Sequence, residues 1–153
     1  MTIEDSLKDL NINLPEAPKP VGSYVAYKQV EKLVFISGQI SIRDDGTLIK
    51  GKIGSDLSLE EGQVAAKACA INILSQIKSA CDGDLERVKN CIKITGFVNS
   101  VDSFTEQPKI INAASELLVK IFGKKGIHSR AAVSVNSLPL GASVEIEAIF
   151  EII

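Results

Sequence analysis

The order in which strand-like and helix-like apolar patterns follow one another constrains the fold of this chain more than any other feature. Short strand-like runs come first, followed by a long helical pattern, a strand, a second helical pattern and two further strand-like runs. This order predicts an α+β layer, in which one mixed or antiparallel sheet carries two helices on one face. Because 153 residues is the usual size of one domain, we expect a single domain over residues 21–153, preceded by an N-terminal arm over residues 1–20.

The bounds of the predicted helices come from residues that start and stop helices. Ser58 and Glu61 form a capping box ahead of a wide, weakly polar stripe. Gly123 ends a second apolar pattern, in which Pro108 is tolerated in the first turn. Three prolines between residues 11 and 20 favour an extended arm there. The predicted helices are 3–10, 58–80 and 106–122.

Alternating or continuous apolar runs predict the strands, over 23–28, 32–37, 40–43, 47–50, 88–99, 131–136 and 142–152. The last two flank a Leu-Pro-Leu-Gly segment and are interpreted as a final antiparallel hairpin. Opposite residues of an antiparallel pair share a face, so the simplest register places the apolar side chains of both strands against the helices. The core-facing residues of the first strand are then Ala131, Val133 and Val135. The residues on the far face are Arg130, Ala132, Ser134, Asn136, Ser143, Glu145 and Glu147.

That far face of the sheet carries too many apolar groups to be left in water. The run Leu33–Ile36 offers apolar side chains to both faces, and Ile149 points away from the predicted core. Because both helices are needed on the first face, another subunit is the simplest cover for the second. A homo-oligomer with Arg130 in a cleft between subunits follows. The alternative is that Arg130 forms only a structural ion pair with Glu145 or Glu147.

Composition excludes several classes of protein. A net charge of -2 and a pI of about 5.5 offer no basic surface to nucleic acid or anionic membrane, and 5% aromatic residues are too few for a base-stacking platform. No apolar run approaches the ~20 residues of a membrane span, and the acidic N-terminus is unlike a signal peptide. Cys69, Cys81 and Cys91 lack disulfide or zinc-site spacing. Cys69 and Cys91 are interpreted as small buried apolar residues, and a reducing, cytoplasmic location is expected.

Five segments, in order along most of the chain, carry a resemblance to a known family. They contain a Ser-Gly-Gln after the second predicted strand, an Arg that opens the penultimate strand, a Leu-Pro turn and a Glu-Ile-Glu-Ala in the last strand. The segments are PVGSYV (20–25), LVFISGQI (33–40), FVNS (97–100), INAASELL (111–118) and HSRAAVSVNSLPLGASVEIEAIFEI (128–152). Together they resemble the reactive intermediate deaminase family, also called Rid or YjgF-like proteins. The similarity is greatest to a longer subgroup with an N-terminal arm and an FTEQP segment, here residues 104–108.

The resemblance implies a chorismate-mutase-like fold and a homotrimer with three clefts between subunits. It implies hydrolysis of enamine or imine intermediates, such as 2-aminoacrylate, to 2-keto acids and ammonia, without a metal or an organic cofactor. Arg130 matches the position that grips the substrate carboxylate, a task suited to a guanidinium fork, and Glu145 matches an acid that positions or activates water. The other matching cleft positions are Tyr24, Ser37, Gly38 and Asn112, with Tyr24 supplied by the neighbouring subunit.

Departures from the family pattern lie next to Arg130. The family often has Ser-Cys after this arginine, where this chain has Ala131 and Ala132, so only the backbone groups of Ala132 could keep the role of that cysteine. His128, the only histidine, stands where proline is common. Two other functions stay open. One is a non-catalytic or regulatory trimer that binds small carboxylates, which needs Arg130 but not Glu145. The other is an endoribonuclease or translation inhibitor, which the acidic pI disfavours.

Overall fold

The computed structural model describes residues 1–153 and contains one five-stranded sheet, with helices on one of its faces. The strands are β1 (Tyr27–Val30), β2 (Leu33–Ile40), β3 (Val88–Asn99), β4 (Ser129–Val135) and β5 (Val144–Ile152), and the helices are α1 (Ile3–Asp9), α2 (Leu59–Ala80) and α3 (Gln107–Phe122). The strand order is β1-β2-β5-β3-β4, with β3 and β4 parallel and every other pair antiparallel. The predicted α+β architecture with a mixed sheet is therefore confirmed.

The helices begin and end at the expected signals. The Ser58 Oγ accepts a hydrogen bond from the Glu61 N–H at 3.1 Å, and the Glu61 carboxylate accepts one from the Ser58 N–H at 3.2 Å. These two bonds satisfy backbone donors that have no partner inside a helix. Gly123 ends α3 with a φ of 62°, a conformation that glycine adopts at little cost. Both main helices are confirmed to within about one residue.

The core lies between the sheet and the pair α2 and α3, and it contains 32 buried apolar residues. Ile94, Ile146 and Phe150 point into it from the sheet, and Ile73 and Leu118 from the helices. Each such burial stabilises the fold by about 1.5–3 kcal/mol relative to an exposed side chain. The three cysteines are free and buried, which confirms the interpretation of Cys69 and Cys91 as small apolar core residues.

The prediction that the last two strands form a hairpin is wrong, because β3 lies between β4 and β5. Strands that flank a third strand are about 10 Å apart, farther than a tight hairpin turn can reach. The connection over residues 136–143 therefore crosses the end of β3, and Leu140 and Gly141 turn it with φ values of 57° and 76°. The early strands also differ from the prediction. β1 begins at Tyr27 and not at residue 23, and residues 47–50 form only isolated bridges.

The predicted orientation of β4 is also wrong. Arg130 pairs with Ile94 of β3, which is fully buried, and directly paired residues of neighbouring strands share a face. Arg130 and Ala132 therefore face the helices, whereas Ala131 and Val133 lie on the outer face of the sheet. The alternation in β4 was correctly detected, but its apolar row covers the outer face and not the core, since the outer face is itself apolar.

The outer face of the sheet is not covered by any helix of the chain. We call the large apolar side chains that the strand register places on this face, and that are exposed, the outer-face patch: Val30, Leu33, Phe35 and Val133. On the opposite face of the sheet, Val34 and Ile36 of β2 and Ile94 of β3 are buried against the helices. The sheet is thus apolar on both faces, as the run Leu33–Ile36 predicted. No helix of the structure has the length and apolar character needed to cross a membrane.

Candidate functional site

A bulge in β2 shapes the first part of the site. Ile36 pairs with Ala148 and Gln39 with Ile146, so Ser37 and Gly38 together oppose a single residue of β5. The Glu145 carboxylate fills the space beside Gly38, because a Cβ on this glycine would lie 2.8 Å from the Glu145 Oε2. A side chain at position 38 would displace the Glu145 carboxylate, so Gly38 provides the space in which this carboxylate lies.

A cavity of about 430 Å³ opens at this bulge. Four of the sequence-predicted site residues line it, namely Tyr24, Ser37, Gly38 and Glu145. The N-terminal arm forms one wall with residues 18–21, and the loop at Pro139 and Leu140 forms another. The Ser37 Oγ donates a hydrogen bond to the Val25 carbonyl at 2.7 Å, and the Gln76 amide donates one to the Pro18 carbonyl at 2.6 Å. These two bonds fix the arm beside the bulge. We call the cavity, with the residues that line it, the arm-side cavity.

Glu145 has the electrostatic character of a proton acceptor. Partial burial raises the pKa of its carboxyl above the ordinary value, and the nearby negative charge of Glu147 raises it further. Glu145 also takes part in none of the four ion pairs of the chain. A carboxylate with a raised pKa and no cationic partner binds a proton more readily than an exposed one, which suits it to general base chemistry.

Arg130 organises the second part of the site, at the edge of the sheet beside α3. Its Nη1 donates a hydrogen bond to the Ser115 Oγ at 3.0 Å, and its Nη2 donates one to the Pro108 carbonyl at 3.3 Å. Both acceptors are neutral, and Arg130 is absent from every ion pair of the chain. An ion pair of Arg130 with Glu145 or Glu147 of its own protomer, the structural alternative, is therefore not formed.

The other two predicted site residues belong to this second group. Asn112 lies one turn after Pro108 on α3 and is exposed, so it is on the side of the helix that Arg130 contacts. Ala132 follows Arg130 by two positions on β4 and packs partly against the core. We call the group of Arg130, Asn112, Ser115 and Ala132 the arginine group.

The two groups lie on opposite faces of the sheet. Arg130 pairs with the core residue Ile94, whereas Glu145 pairs with Phe97, one position out of phase with the core-facing residues of β3. The prediction that Arg130 shares a face with Glu145 and Glu147 is therefore wrong, because it rested on the hairpin register. Within one protomer, the arginine group and the arm-side cavity cannot contact the same small molecule.

Sequence reasoning missed the residues that hold Arg130. His128 and Arg130 are two positions apart in an extended segment, and Pro108 and Ser115 are two helical turns apart. Each spacing places its two residues on one side of their element. These spacings were visible in the sequence, but only the contact between β4 and α3 gives them a meaning.

Comparison with known proteins identifies the family of the chain. Residues 4–151 match the family described as "YjgF/chorismate_mutase-like, putative endoribonuclease". The chain belongs to the YjgF family. The resemblance inferred from the sequence is thereby confirmed, and the match includes both the arm-side cavity and the arginine group.

Individual YjgF-family proteins show how closely the likeness extends. Protein TCP17 of Trypanosoma cruzi is 44% identical over 96% of this chain and 92% of its own length. The 2-iminobutanoate/2-iminopropanoate deaminase of Mus musculus is 30% identical over 90% of this chain and 87% of its own. A solved structure from Shewanella oneidensis, described as a putative endoribonuclease, is 33% identical with a TM-score of 0.95, over 99% of this chain and 100% of that one.

Proposed function

We propose that this YjgF-family protein hydrolyses reactive 2-imino and enamine acids to 2-keto acids and ammonia. The observation that carries the proposal is the state of Arg130. Its guanidinium is held by two neutral acceptors, so no carboxylate of its own protomer neutralises its charge. Three of its five N–H groups remain for a bidentate bond to a small carboxylate. The mouse relative that is named a 2-iminobutanoate/2-iminopropanoate deaminase supports the same class of substrate.

We further propose that each catalytic site is completed by two protomers. Arg130 and Glu145 lie on opposite faces of their own sheet, so a site that uses both needs Arg130 from one copy and Glu145 from another. The outer-face patch supports such contact, because Phe35 and Val133 are 42% and 44% exposed and large apolar patches favour association. The family resemblance supplies the number of copies, which is three.

The chemistry needs little more than these two residues. Arg130 binds the carboxylate of the 2-iminium acid and so holds its C2 atom in place. Glu145 accepts a proton from a water molecule as the water oxygen bonds to C2. The protonated Glu145 carboxyl returns this proton to the carbinolamine nitrogen, which leaves as ammonia, and the hydroxyl oxygen forms the carbonyl of the 2-keto acid as it gives its proton to the Glu145 carboxylate, which releases it to solvent. Such a positioned base accelerates reactions by about 10²–10⁴-fold, which is adequate for an imine that also hydrolyses unaided.

A coupled assay that generates 2-iminopropionate and follows pyruvate tests this proposal. Wild-type protein should accelerate pyruvate release, and Glu145→Gln should impair turnover while retaining pyruvate binding. Wild-type protein that binds pyruvate but does not accelerate the formation of pyruvate from 2-iminopropionate would instead identify a small-carboxylate-binding trimer. RNA cleavage that co-purifies with the protein and disappears in Arg130→Ala would identify a nuclease. The cytoplasmic location expected from the cysteines stays a prediction.

A further inference from the structure

A directional chain of hydrogen bonds runs from Arg130 to the backbone of the segment before β4. The His128 Nδ1 lies 2.6 Å from the Gly126 carbonyl oxygen. A carbonyl oxygen only accepts, so Nδ1 carries a proton, and the Nε2 of the neutral ring is then an acceptor. This Nε2 lies 2.9 Å from the Ser115 Oγ, which also accepts from the Arg130 Nη1 at 3.0 Å. With a neutral imidazole, Ser115 thus accepts from Arg130 and donates to His128.

The fold explains why these groups meet. His128 and Arg130 alternate with Ser129 in extended backbone, so both side chains point towards α3. On α3, Pro108 and Ser115 are seven residues apart and present a carbonyl and a hydroxyl along one side of the helix. The guanidinium therefore lies across two helical turns, with one acceptor for each of its Nη atoms.

We propose that Ser115 and His128 are positioning residues, which hold the Arg130 guanidinium in the orientation that binds a substrate carboxylate. This inference deepens the proposed function and rests on it. An arginine side chain has many rotamers, and a bidentate contact uses only one orientation of its planar fork. His128 orients the Ser115 hydroxyl by accepting its hydrogen bond, and the hydroxyl oxygen then faces Arg130. Neither residue needs to touch the substrate.

Kinetics of Ser115→Ala and Ser115→Thr in the 2-iminopropionate assay give the first test. Ser115→Ala should raise KM about three- to tenfold, the range for one neutral hydrogen bond, while kcat changes less than twofold, because Glu145 and the reacting atoms are untouched. Ser115→Thr keeps the hydroxyl and should retain a KM near that of wild type. The matched control is Ser75→Ala, since the Ser75 hydroxyl bonds only to the Ile71 carbonyl of its own helix. It should leave KM unchanged.

Variants of His128 test whether the chain acts as a unit. His128→Phe removes the acceptor and should raise KM, whereas His128→Gln offers an amide oxygen to Ser115 and should restore much of the loss. The double variant Ser115→Ala/His128→Phe should resemble Ser115→Ala alone, because both changes break one chain. If the increase in KM of the double variant equals the product of the two single increases, His128 does not act through Ser115. That result would overturn this part of the proposal.

Mobility of the Arg130 Nε–H, measured by NMR relaxation, separates the positioning role from the proposed function. The order parameter of this bond should fall in Ser115→Ala and stay near the wild-type value in Ser115→Thr. The positioning role would be overturned if Ser115→Ala leaves the order parameter unchanged and either leaves KM unchanged or loses activity only in proportion to unfolded protein. If wild type is inactive in the assay, but Arg130 is more mobile in Ser115→Ala than in wild type, the positioning role is kept and the proposed reaction is refuted.

Discussion

The Arg130 guanidinium lies among neutral acceptors of its own protomer, and this arrangement favours the proposed ligand-binding role over a structural ion pair within the protomer. A structural ion pair would bring a carboxylate within 4 Å, whereas Arg130 contacts only a hydroxyl and a carbonyl. Removing its charge therefore breaks no ion pair within the protomer. The cost of losing Arg130 should appear in substrate binding and not in the stability of the fold.

Substitution of Arg130 tests this difference. Arg130→Ala should lower kcat/KM by roughly 30- to 10³-fold, the equivalent of about 2–4 kcal/mol for a charged bidentate contact. Arg130→Lys should also lose most activity, because an ammonium is a point charge and does not reproduce the fork. Melting temperatures of both variants should stay close to wild type, and Arg43→Ala serves as a control at an exposed arginine. A Lys variant with full activity would show that charge alone is sufficient.

The Glu145 carboxyl predicts a pH-dependent stability. Its pKa is raised, chiefly by burial and then by Glu147, so the folded state binds its proton more tightly than the unfolded chain does. Its ionisation therefore destabilises the fold as pH rises from the ordinary value through the folded pKa, and the penalty is complete above that point. Glu145→Gln should raise the melting temperature at pH 7, with a smaller gain at pH 4.

Glu151 provides the control of opposite sign. Hydrogen bonds from Asn90 and Lys89 lower the pKa of its carboxyl, so its contribution to stability is present above the ordinary pKa and is lost as pH falls through the folded value. Glu151→Gln should therefore lower the melting temperature at pH 7. Equal shifts for the two variants, measured by calorimetry at both pH values, would contradict the assigned environments.

At the scale of elements, the contact between α3 and β3 brings the acceptors of Arg130 within reach. Gly96 of β3 has no side chain to keep Ile111 away, and it pairs with Ala132, the small residue of β4 beside Arg130. These small residues let α3 approach the sheet closely. Helix position and site geometry are therefore coupled through Gly96.

Gly96→Ala tests this packing. The added Cβ would lie 2.5 Å from the Ile111 Cδ1, so the substitution should destabilise the protein by about 1–3 kcal/mol through overpacking. The double variant Gly96→Ala/Ile111→Ala should be more stable than the two single changes together predict, because it removes the three Ile111 atoms that lie within 3.1 Å of the added Cβ. Chemical denaturation gives the free energies of unfolding. A double variant no more stable than the sum of the two single effects predicts would place the conflict elsewhere.

Local and non-local features of this fold differ in how well the sequence predicts them. The capping box at Ser58 and the alternation over Val88–Asn99 depend on neighbours within a few residues, and both predictions are confirmed. The partner of β4 depends on which strand lies beside it, and no local signal reports that β3 separates β4 from β5. The prediction of which β4 side chains face the helices also failed. Both faces of the sheet are apolar, so the apolar alternation of β4 fits either of them.

The residues of the candidate site also differ in how well the sequence predicts them. Family resemblance selected Tyr24, Ser37, Gly38 and Glu145, and the structure brings these four together at one cavity. The same resemblance selected Arg130, but the assignment of its face came from the hairpin register and was wrong. Ser115 entered neither argument, because a helical serine has no distinctive pattern until its partner is known.

At the scale of the whole molecule, the outer-face patch predicts self-association. Light scattering should give a mass of about 49 kDa, three times the 16.4 kDa of one chain. Phe35→Lys should reduce this mass because it places a charge within the patch. Val64→Lys is the matched control, since Val64 is 53% exposed on α2, away from the sheet face. A monomeric wild-type mass at micromolar concentration would remove the shared site altogether.

Mixed trimers of Arg130→Ala and Glu145→Gln test the central claim most directly, namely that each site takes Arg130 from one protomer and Glu145 from another. Each variant alone should be nearly inactive. Random assembly of equal amounts should restore about a quarter of the wild-type sites, because each site then has an even chance of an intact Arg130 and an even chance of an intact Glu145. Activity near a quarter of wild type after co-expression is the predicted result. Activity no higher than that of the two separate variants, in trimers shown to be mixed, would contradict it.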